Sequence, residues 1–140
     1  MKFRIYREYD LDRVSSLDKA VFSAADPDID LQGMWWTARN EDKLPVAYAG
    51  MKLYWTEDGV VSYFHRVGVI LSCRRMGLHQ RLIQTRLKAA KEEGCVSAIT
   101  YTMYYNAISN NNLINAGFRQ YYPDYTWVGV DDVIYWRKQL

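Results

Sequence analysis

Two adjacent arginines, Arg74 and Arg75, stand between an apolar run and an amphipathic pattern in the stretch VGVILSCRRMGLHQRL, residues 67–82. The apolar run, Val67 to Leu71, predicts a strand that is buried on both faces. Gly77 then begins a helical pattern. The first N–H groups of a helix have no internal partner, and the helix dipole adds positive charge at the same end. This stretch therefore predicts a binding site for an anion, such as the phosphates of a cofactor.

The elements around this stretch alternate between strands and helices. Strands are predicted at Lys2–Tyr6, Met34–Arg39, Val46–Trp55, Val60–Leu71, Cys95–Met103, Phe118–Tyr122 and Val133–Arg137, and helices after Asp10, after Gly77 and from about Ser109. The turn Glu57-Asp58-Gly59 favours an antiparallel meander over residues 34–71. Strand, helix and strand joined by short connections imply a right-handed parallel crossover. We therefore predict an α+β fold with an α/β element: a mixed, mostly antiparallel central sheet flanked by helices, with one parallel strand-helix-strand crossover at the cofactor site.

Length and composition predict one globular domain over residues 1–140. The chain is 49% hydrophobic and 24% charged, which suffices for a single core. The net charge of +2 is too small to favour binding to nucleic acid. The N-terminus has no signal-peptide pattern, and no apolar run is long enough to span a membrane. Because the two cysteines form no disulfide framework, we expect a reducing compartment, the cytoplasm.

Several common sites are excluded by their missing motifs. The chain has neither a G-x-x-x-x-G-K-[ST] P-loop nor a G-x-G-x-x-G fingerprint, so the ligand is not held as ATP or NAD is held. It has no G-x-S-x-G nucleophile turn. Two distant histidines do not make a metal site, so no metal is expected. Cys73 has no His/Asp partner pattern and is interpreted as structural.

Two segments together carry a resemblance to a known family. The segment V-I-L-S-C-R-R-M-G-L-H, residues 69–79, resembles the acetyl-CoA-binding motif of the GCN5-related N-acetyltransferases (GNAT), Gln/Arg-x-x-Gly-x-Gly/Ala. Arg74 and Gly77 match it, whereas His79 stands where Gly or Ala is usual. The segment N-A-I-S-N-N-N-L-I-N-A-G-F, residues 106–118, resembles the second block of the family. The predicted order of elements is also GNAT-like over nearly the whole chain.

The resemblance implies that the cofactor is acetyl-CoA. It implies pairing of the pantetheine arm with the backbone of Val67, Gly68, Val69 and Leu71, pyrophosphate binding by Arg74, Arg75, Met76, Gly77, Leu78, His79 and Gln80, and further contacts from Asn106, Ser109 and Asn110. Whether the imidazole of His79 points to solvent or contacts a phosphate is left open.

The implied reaction is transfer of an acetyl group to a primary amine. Such a reaction needs a proton acceptor and an N–H donor for the developing oxyanion. The resemblance places that donor at the backbone of Val69. The usual acidic Tyr is replaced by Leu113, and the usual Glu falls near Tyr63 or Tyr101. We predict His65 as a base, with a structural role as the alternative, and Tyr101 as an acid, with a core position as the alternative.

The sequence does not decide whether the acceptor is a small-molecule amine or a protein amine. It also leaves open which acyl chain is preferred and whether the chain forms a homodimer. One hypothesis places a cationic amine among carboxylates and aromatic side chains: Asp26, Asp28, Asp30, Trp35, Trp36, Tyr121, Tyr122 and Tyr125. Its alternative is that these are surface and core residues with no common pocket, the acidic loop being a solvated turn. Two rival functions are a CoA-binding module without catalysis and a nucleic-acid-binding protein that uses exposed aromatic residues together with Arg74, Arg75, Arg81 and Arg86.

Overall fold

The computed structural model describes residues 2–140. Its strands are β1 (Arg4–Glu8), β2 (Met34–Arg39), β3 (Pro45–Thr56), β4 (Gly59–Val69), β5 (Ser97–Met103), β6 (Arg119–Gln120) and β7 (Val133–Gln139). Its α-helices are α1 (Leu11–Val21), α2 (Leu78–Glu92) and α3 (Ala107–Asn115), and a single 3-10 turn covers Leu71–Cys73. The predicted elements are therefore all present, with ends that differ by a few residues.

The seven strands form one mixed sheet in the order β1-β2-β3-β4-β5-β7-β6. β1 and β2 pair antiparallel, as do β2 and β3, while β4 and β5 pair parallel over Val61–Tyr63 on β4. α2 connects the two parallel strands, so the predicted crossover is confirmed. β7 lies between β5 and β6 and is antiparallel to both. The predicted mixed, mostly antiparallel sheet is thus confirmed.

Both short helices begin where a side chain caps them. The Asp10 carboxylate accepts hydrogen bonds from the N–H groups of Asp12 and Arg13 at the start of α1. The Asn106 side chain accepts from the Ser109 N–H at 3.2 Å at the start of α3. These bonds satisfy amides that have no partner within the helix. Cap chemistry is local in sequence, which explains why both starts could be predicted.

Residue contacts divide the chain into two compact units. The first runs from the N-terminus to Lys52 and includes His65–Leu82; the second contains Leu53–Phe64 and Ile83–Leu140. In the first unit, Val14 and Leu17 of α1 pack with Trp35 and Tyr48 as a buried cluster. In the second unit, the rings of Phe64 and Phe118 pack edge to face at 5.7 Å.

No helix among residues 2–140 is both long enough and apolar enough to cross a membrane. The same residues contain no group of three or more His, Cys, Asp or Glu side chains arranged to hold a metal ion.

Candidate active site

The anion-binding turn predicted from the sequence follows β4 directly. The chain leaves β4 at Val69, makes the 3-10 turn and reaches α2 at Leu78. Gly77 has φ of +78°, a left-handed conformation that side chains with a Cβ rarely adopt. A Cβ placed on Gly77 would meet no atom within 4 Å, so the backbone is open to a ligand at this point. The glycine is therefore required by backbone conformation rather than by crowding.

The first turn of α2 presents its amides as predicted. The first backbone hydrogen bond of the helix runs from the Arg81 N–H to the Gly77 carbonyl at 3.1 Å. The amides of residues 78–80 precede this bond and so lie ahead of the intrahelical ladder. The side chain of Leu78 is buried and those of His79 and Gln80 are half-buried. What this turn offers to a pyrophosphate is thus mainly its backbone, supplemented by the exposed side chains of Arg74 and Arg75.

The edge of β4 near Val69 is oriented for an extended ligand. The Ile70 N–H donates to the Val46 carbonyl of β3 at 2.9 Å. Because successive amides of a strand point to opposite edges, the Val69 N–H points away from β3. The Val69 carbonyl accepts from the Arg74 Nε at 3.1 Å. Arg74 is therefore folded back onto the strand, and part of its hydrogen-bonding capacity is already used there.

An irregular residue divides β4 just before this edge. Arg66 has φ of +46° within the strand, a conformation that costs a non-glycine residue about 1–2 kcal/mol. Its guanidinium bonds both carboxylate oxygens of Asp18, donates to the Pro27 carbonyl at 3.0 Å and lies 4.1 Å from the centre of the Phe22 ring. The Tyr48 hydroxyl also donates to Asp18. These contacts hold the left-handed residue in place.

The ionisation of this cluster is fixed by its hydrogen bonds. Burial raises the pKa of Asp18, but hydrogen bonds from Arg66 and Tyr48 outweigh burial and lower it overall. The hydrogen bond to Asp18 raises the pKa of Arg66. Burial and the neighbouring Asp18 carboxylate raise the pKa of Tyr48. Asp18 and Arg66 are thus an ion pair at neutral pH, and Tyr48 is a neutral donor. This cluster was not predicted from the sequence.

Gly68 is required by packing rather than by its φ angle. A Cβ there would lie 2.5 Å from Cε1 of the Tyr48 ring. The Tyr48 ring, anchored by Asp18, therefore lies directly against the β4 backbone in the segment predicted to pair with pantetheine. Only glycine permits this approach.

His65, the predicted base, packs in the first unit. Its ring meets the Trp35 ring edge to face, with centroids 5.0 Å apart. A Cβ on Gly50 would lie 3.0 Å from His65 Nε2, so Gly50 makes room for the imidazole. Arg66 interrupts the regular strand, so alternation alone does not relate His65 to Val67 and Val69 as the sequence suggested. The base and structural roles of His65 are both compatible with this position.

Tyr101, the predicted acid, lines a cavity of 620 Å³ in the second unit. The Trp127 ring meets the Tyr101 ring edge to face at 5.8 Å and the Tyr63 ring at 5.4 Å. Tyr101 is half-buried. Tyr101 therefore lines a cavity and is not a fully buried core side chain.

The second block lies at the C-terminal end of β5. Asn106 uses its side-chain oxygen to cap α3, and the Ser109 N–H is the donor of that bond. Asn110 is engaged at both amide atoms: its oxygen accepts from Thr102 and its nitrogen donates to the Tyr104 carbonyl at 3.2 Å. Contacts of these three residues with a cofactor remain predictions. Leu113, at the usual Tyr position, is 5% exposed and part of the core.

The acidic and aromatic residues proposed for a cationic acceptor are divided between the two units. Trp35 and Trp36 are 1% and 6% exposed, and Trp35 belongs to the core of the first unit, so their assignment to an acceptor pocket was wrong. Asp26 bonds the Ser23 backbone and hydroxyl, and Asp30 pairs with Lys52. Only Tyr125 of that set lines the cavity that contains Tyr101.

One arginine of the rival basic patch is buried. Arg86 is 3% exposed, and its guanidinium lies 4.6 Å from the centre of the Phe64 ring. Burial lowers its pKa. Arg81 donates to the Phe3 carbonyl at 3.1 Å. Arg86 is therefore a core residue, and the basic patch loses one of its four predicted members.

The comparisons with known proteins agree with this geometry. Residues 3–118 match the model of the Acetyltransferase (GNAT) family. The chain belongs to this family, and the predictions of an acetyltransferase that depends on acetyl-CoA are confirmed. A comparison with curated protein sequences gives no match.

Solved structures of similar fold include several acetyltransferases. Arabidopsis thaliana Naa50, in complex with the bisubstrate analogue CoA-Ac-MVNAL, is 16% identical with a TM-score of 0.79, covering 100% of both chains. The ribosomal-protein-S18-alanine N-acetyltransferase from Escherichia coli is 15% identical with a TM-score of 0.76, covering 99% of this chain and 94% of its own. A GNAT-family acetyltransferase from Staphylococcus aureus is 16% identical with a TM-score of 0.78, covering 99% of both chains. At these identities the likeness is one of fold.

Proposed function

We propose that this chain transfers the acetyl group of acetyl-CoA directly to a primary amine held in the same ternary complex. The observation that carries the proposal is the order of three structural features. β4 is followed by a turn that ends in the left-handed residue Gly77, and the turn is followed by the amides at the start of α2. This arrangement offers a strand edge to an extended amide-bearing arm and a helix start to a pyrophosphate. Both are parts of one molecule in CoA.

The residues divide the task as follows. The backbone of Val67, Gly68, Val69 and Leu71 binds the pantetheine arm, and the amides from Arg74 to Gln80 bind the pyrophosphate. Arg75, exposed with φ of +64°, adds charge toward the phosphates. Asn106 keeps its side-chain nitrogen for a further contact, because only its oxygen is used in capping.

Acetyl-CoA supplies an activated thioester. The Val69 N–H, on the edge of β4 that points away from β3, donates to the carbonyl oxygen as negative charge develops there. His65, directly or through ordered water, accepts the proton of the attacking amine. Tyr101 protonates the departing sulfur. The position equivalent to the usual acid is Leu113, so the acid must come from elsewhere in the chain.

The experiment that tests the proposal measures binding of acetyl-CoA and thiol release in parallel. Wild type is expected to show an upward thermal shift with acetyl-CoA, and Gly77→Glu is expected to lose it, because the carboxylate would occupy the anion site. Thiol release is then followed over a panel of primary amines. Equal binding by wild type and Gly77→Glu would overturn the assigned site.

The second candidate is a CoA-binding module without catalysis. The observation in its favour is the core position of Leu113, which leaves the usual acid without a counterpart at that place. This candidate predicts the same thermal shift but no thiol release with any amine. Turnover on one amine excludes it.

We further propose that the two compact units act as one domain in the cytoplasm. All three unit boundaries fall inside continuous elements, after Lys52 in β3, after Phe64 in β4 and after Leu82 in α2, which supports joint unfolding. Cys73 and Cys95 are both free thiols, which supports a reducing compartment. An amine rather than nucleic acid as partner is supported by the net charge of +2 and the core position of Arg86.

The sequence left open whether the chain forms a homodimer. Sedimentation at several protein concentrations distinguishes a monomer from a homodimer.

A further inference from the structure

The cavity that Tyr101 lines is built on strand residues of the second unit. Val61 and Tyr63 of β4 and Ile99 and Tyr101 of β5 occupy alternate positions on their strands. The register pairs Tyr63 with Ile99. Alternate residues of a strand point to the same face, so these four side chains form one floor.

A fixed loop closes one side of this floor. Trp127 meets Tyr63, Tyr101 and Tyr135 edge to face, with centroid distances of 5.4, 5.8 and 5.1 Å. The Val128 N–H donates to the Tyr135 hydroxyl at 3.3 Å. Three ring contacts and a hydrogen bond therefore hold the wall in place. Tyr54 also lines the cavity, and its ring centre lies 6.4 Å from that of Tyr63.

The chemistry of the walls is uniform. None of the side chains lining the 620 Å³ cavity carries a formal charge: they are aromatic, aliphatic or a single threonine. Asp26 and Asp30, which were proposed for a cationic acceptor, belong to the first unit and bond Ser23 and Lys52. A polycation would thus lose hydration in this cavity without a counter-charge, whereas an aromatic ring gains from burial and from edge-to-face contacts.

From this cavity we infer the class of acceptor: a primary amine that carries an aromatic or bulky apolar group close to the reactive nitrogen. The inference rests on the proposed function and adds the group that the acceptor inserts beside Tyr101. The amine nitrogen attacks the thioester carbonyl, the new C–N bond replaces the C–S bond, and the proton lost by nitrogen ends on the CoA thiol. Polyamines and aminoglycosides are disfavoured acceptors.

The test compares 2-phenylethylamine with spermidine as acceptors in thiol release by the full chain. We expect kcat/KM for 2-phenylethylamine to be higher by about tenfold or more, since a phenyl group buries substantial apolar area. Trp127→Ala, which removes a wall, is expected to raise KM for 2-phenylethylamine about tenfold and to leave acetyl-CoA binding unchanged. Ile99→Trp, which fills the floor, is expected to do the same. Tyr9→Ala, an exposed aromatic in the first unit, is the matched control.

A second readout does not depend on turnover. Tryptophan fluorescence is recorded as 2-phenylethylamine is added without acetyl-CoA, in wild type and in Trp127→Phe. A change in wild type that is lost in Trp127→Phe supports occupation of the cavity, and its absence overturns the inference even if the proteins are inactive.

Thiol release that is faster with spermidine overturns the inference while the proposed function stands. So does thiol release that is the same in wild type, Trp127→Ala and Ile99→Trp. Loss of thiol release with every amine together with a normal fluorescence change counts against the proposed function alone. A fluorescence change on addition of tetramethylammonium but not of 2-phenylethylamine would show that the aromatic walls bind a quaternary cation. That result would also overturn the inference.

Discussion

Arg66 donates to both carboxylate oxygens of Asp18, with distances of 2.7 Å from Nε and 3.0 Å from Nη2. The two residues are 48 positions apart, one in the left-handed position of β4 and the other in α1. The pair therefore fixes the backbone irregularity that precedes Val67 and Val69. Its loss should affect stability and the geometry of the proposed pantetheine edge together.

Asp18→Asn tests this role. We expect a loss of about 2–3 kcal/mol in unfolding free energy, below the range for fully buried pairs because Arg66 keeps 19% side-chain exposure. Urea unfolding measures it, with Asp58→Asn at an exposed turn as the control. We also expect weaker acetyl-CoA binding in folded Asp18→Asn protein. Unchanged stability and binding would show that Arg66 keeps its conformation without Asp18.

Acid should weaken the fold through the same pair and through Glu8. Burial opposes ionisation of Glu8, but hydrogen bonds from Thr37, the Asp10 N–H, Arg13 and Arg39 lower its pKa overall. Both carboxyls have folded pKa values below their ordinary values of 3.8 for Asp18 and 4.5 for Glu8. Their stabilisation is therefore present at neutral pH and declines as the pH falls below about 4–5. The stability gap between wild type and Asp18→Asn should narrow over that range. A constant gap would contradict the lowered pKa.

Gly77→Ala and Gly94→Ala form a matched pair at the two ends of α2. Both glycines are left-handed, with φ of +78° and +77°, and neither has an atom within 4 Å of an added Cβ. Each substitution should therefore cost about 1 kcal/mol of stability through backbone strain. Only Gly77→Ala should weaken acetyl-CoA binding, by about tenfold or more, because it alters the anion-binding turn. Isothermal titration separates the two. Equal binding by both variants would refute the assignment of the turn.

His65→Gln separates the base from the structural role. If His65 accepts the proton, kcat should fall by about a hundredfold and the acid limb of the pH profile should flatten. A structural His65, packed on Trp35, would instead cost stability and leave the shape of the pH profile unchanged. The readout is kcat and kcat/KM, each measured across the pH range for the amine that turns over best.

Tyr101→Phe keeps the ring in the cavity floor and removes only the hydroxyl. If Tyr101 protonates the leaving sulfur, kcat should fall by about tenfold or more with little change in the unfolding free energy. Tyr63→Phe, which removes a hydroxyl from the same cavity floor, provides the comparison. An equal fall in both variants would show that the loss does not come from a specific acid.

The sequence by itself determined the features that depend on neighbouring residues. Asp10 and Asn106 cap helices through bonds to amides two or three positions away, and Gly77 meets a local demand on φ. The crossover at β4, α2 and β5 followed from short connections and a right-handed rule. For the same reason the cofactor turn could be located before the fold was known.

Only the tertiary structure decided the features that join distant segments. The insertion of β7 between β5 and β6, the Arg66–Asp18 pair and the uncharged cavity all depend on strand register and loop placement, which local propensity does not fix. Trp35 illustrates the limit: its type suited a binding pocket, yet the pairing of β2 with β3 and the packing of α1 place it in the core. The cofactor turn is thus specified locally, whereas the proposed class of acceptor rests on side chains that come together only when Tyr63, Tyr101 and Trp127 meet in the folded chain.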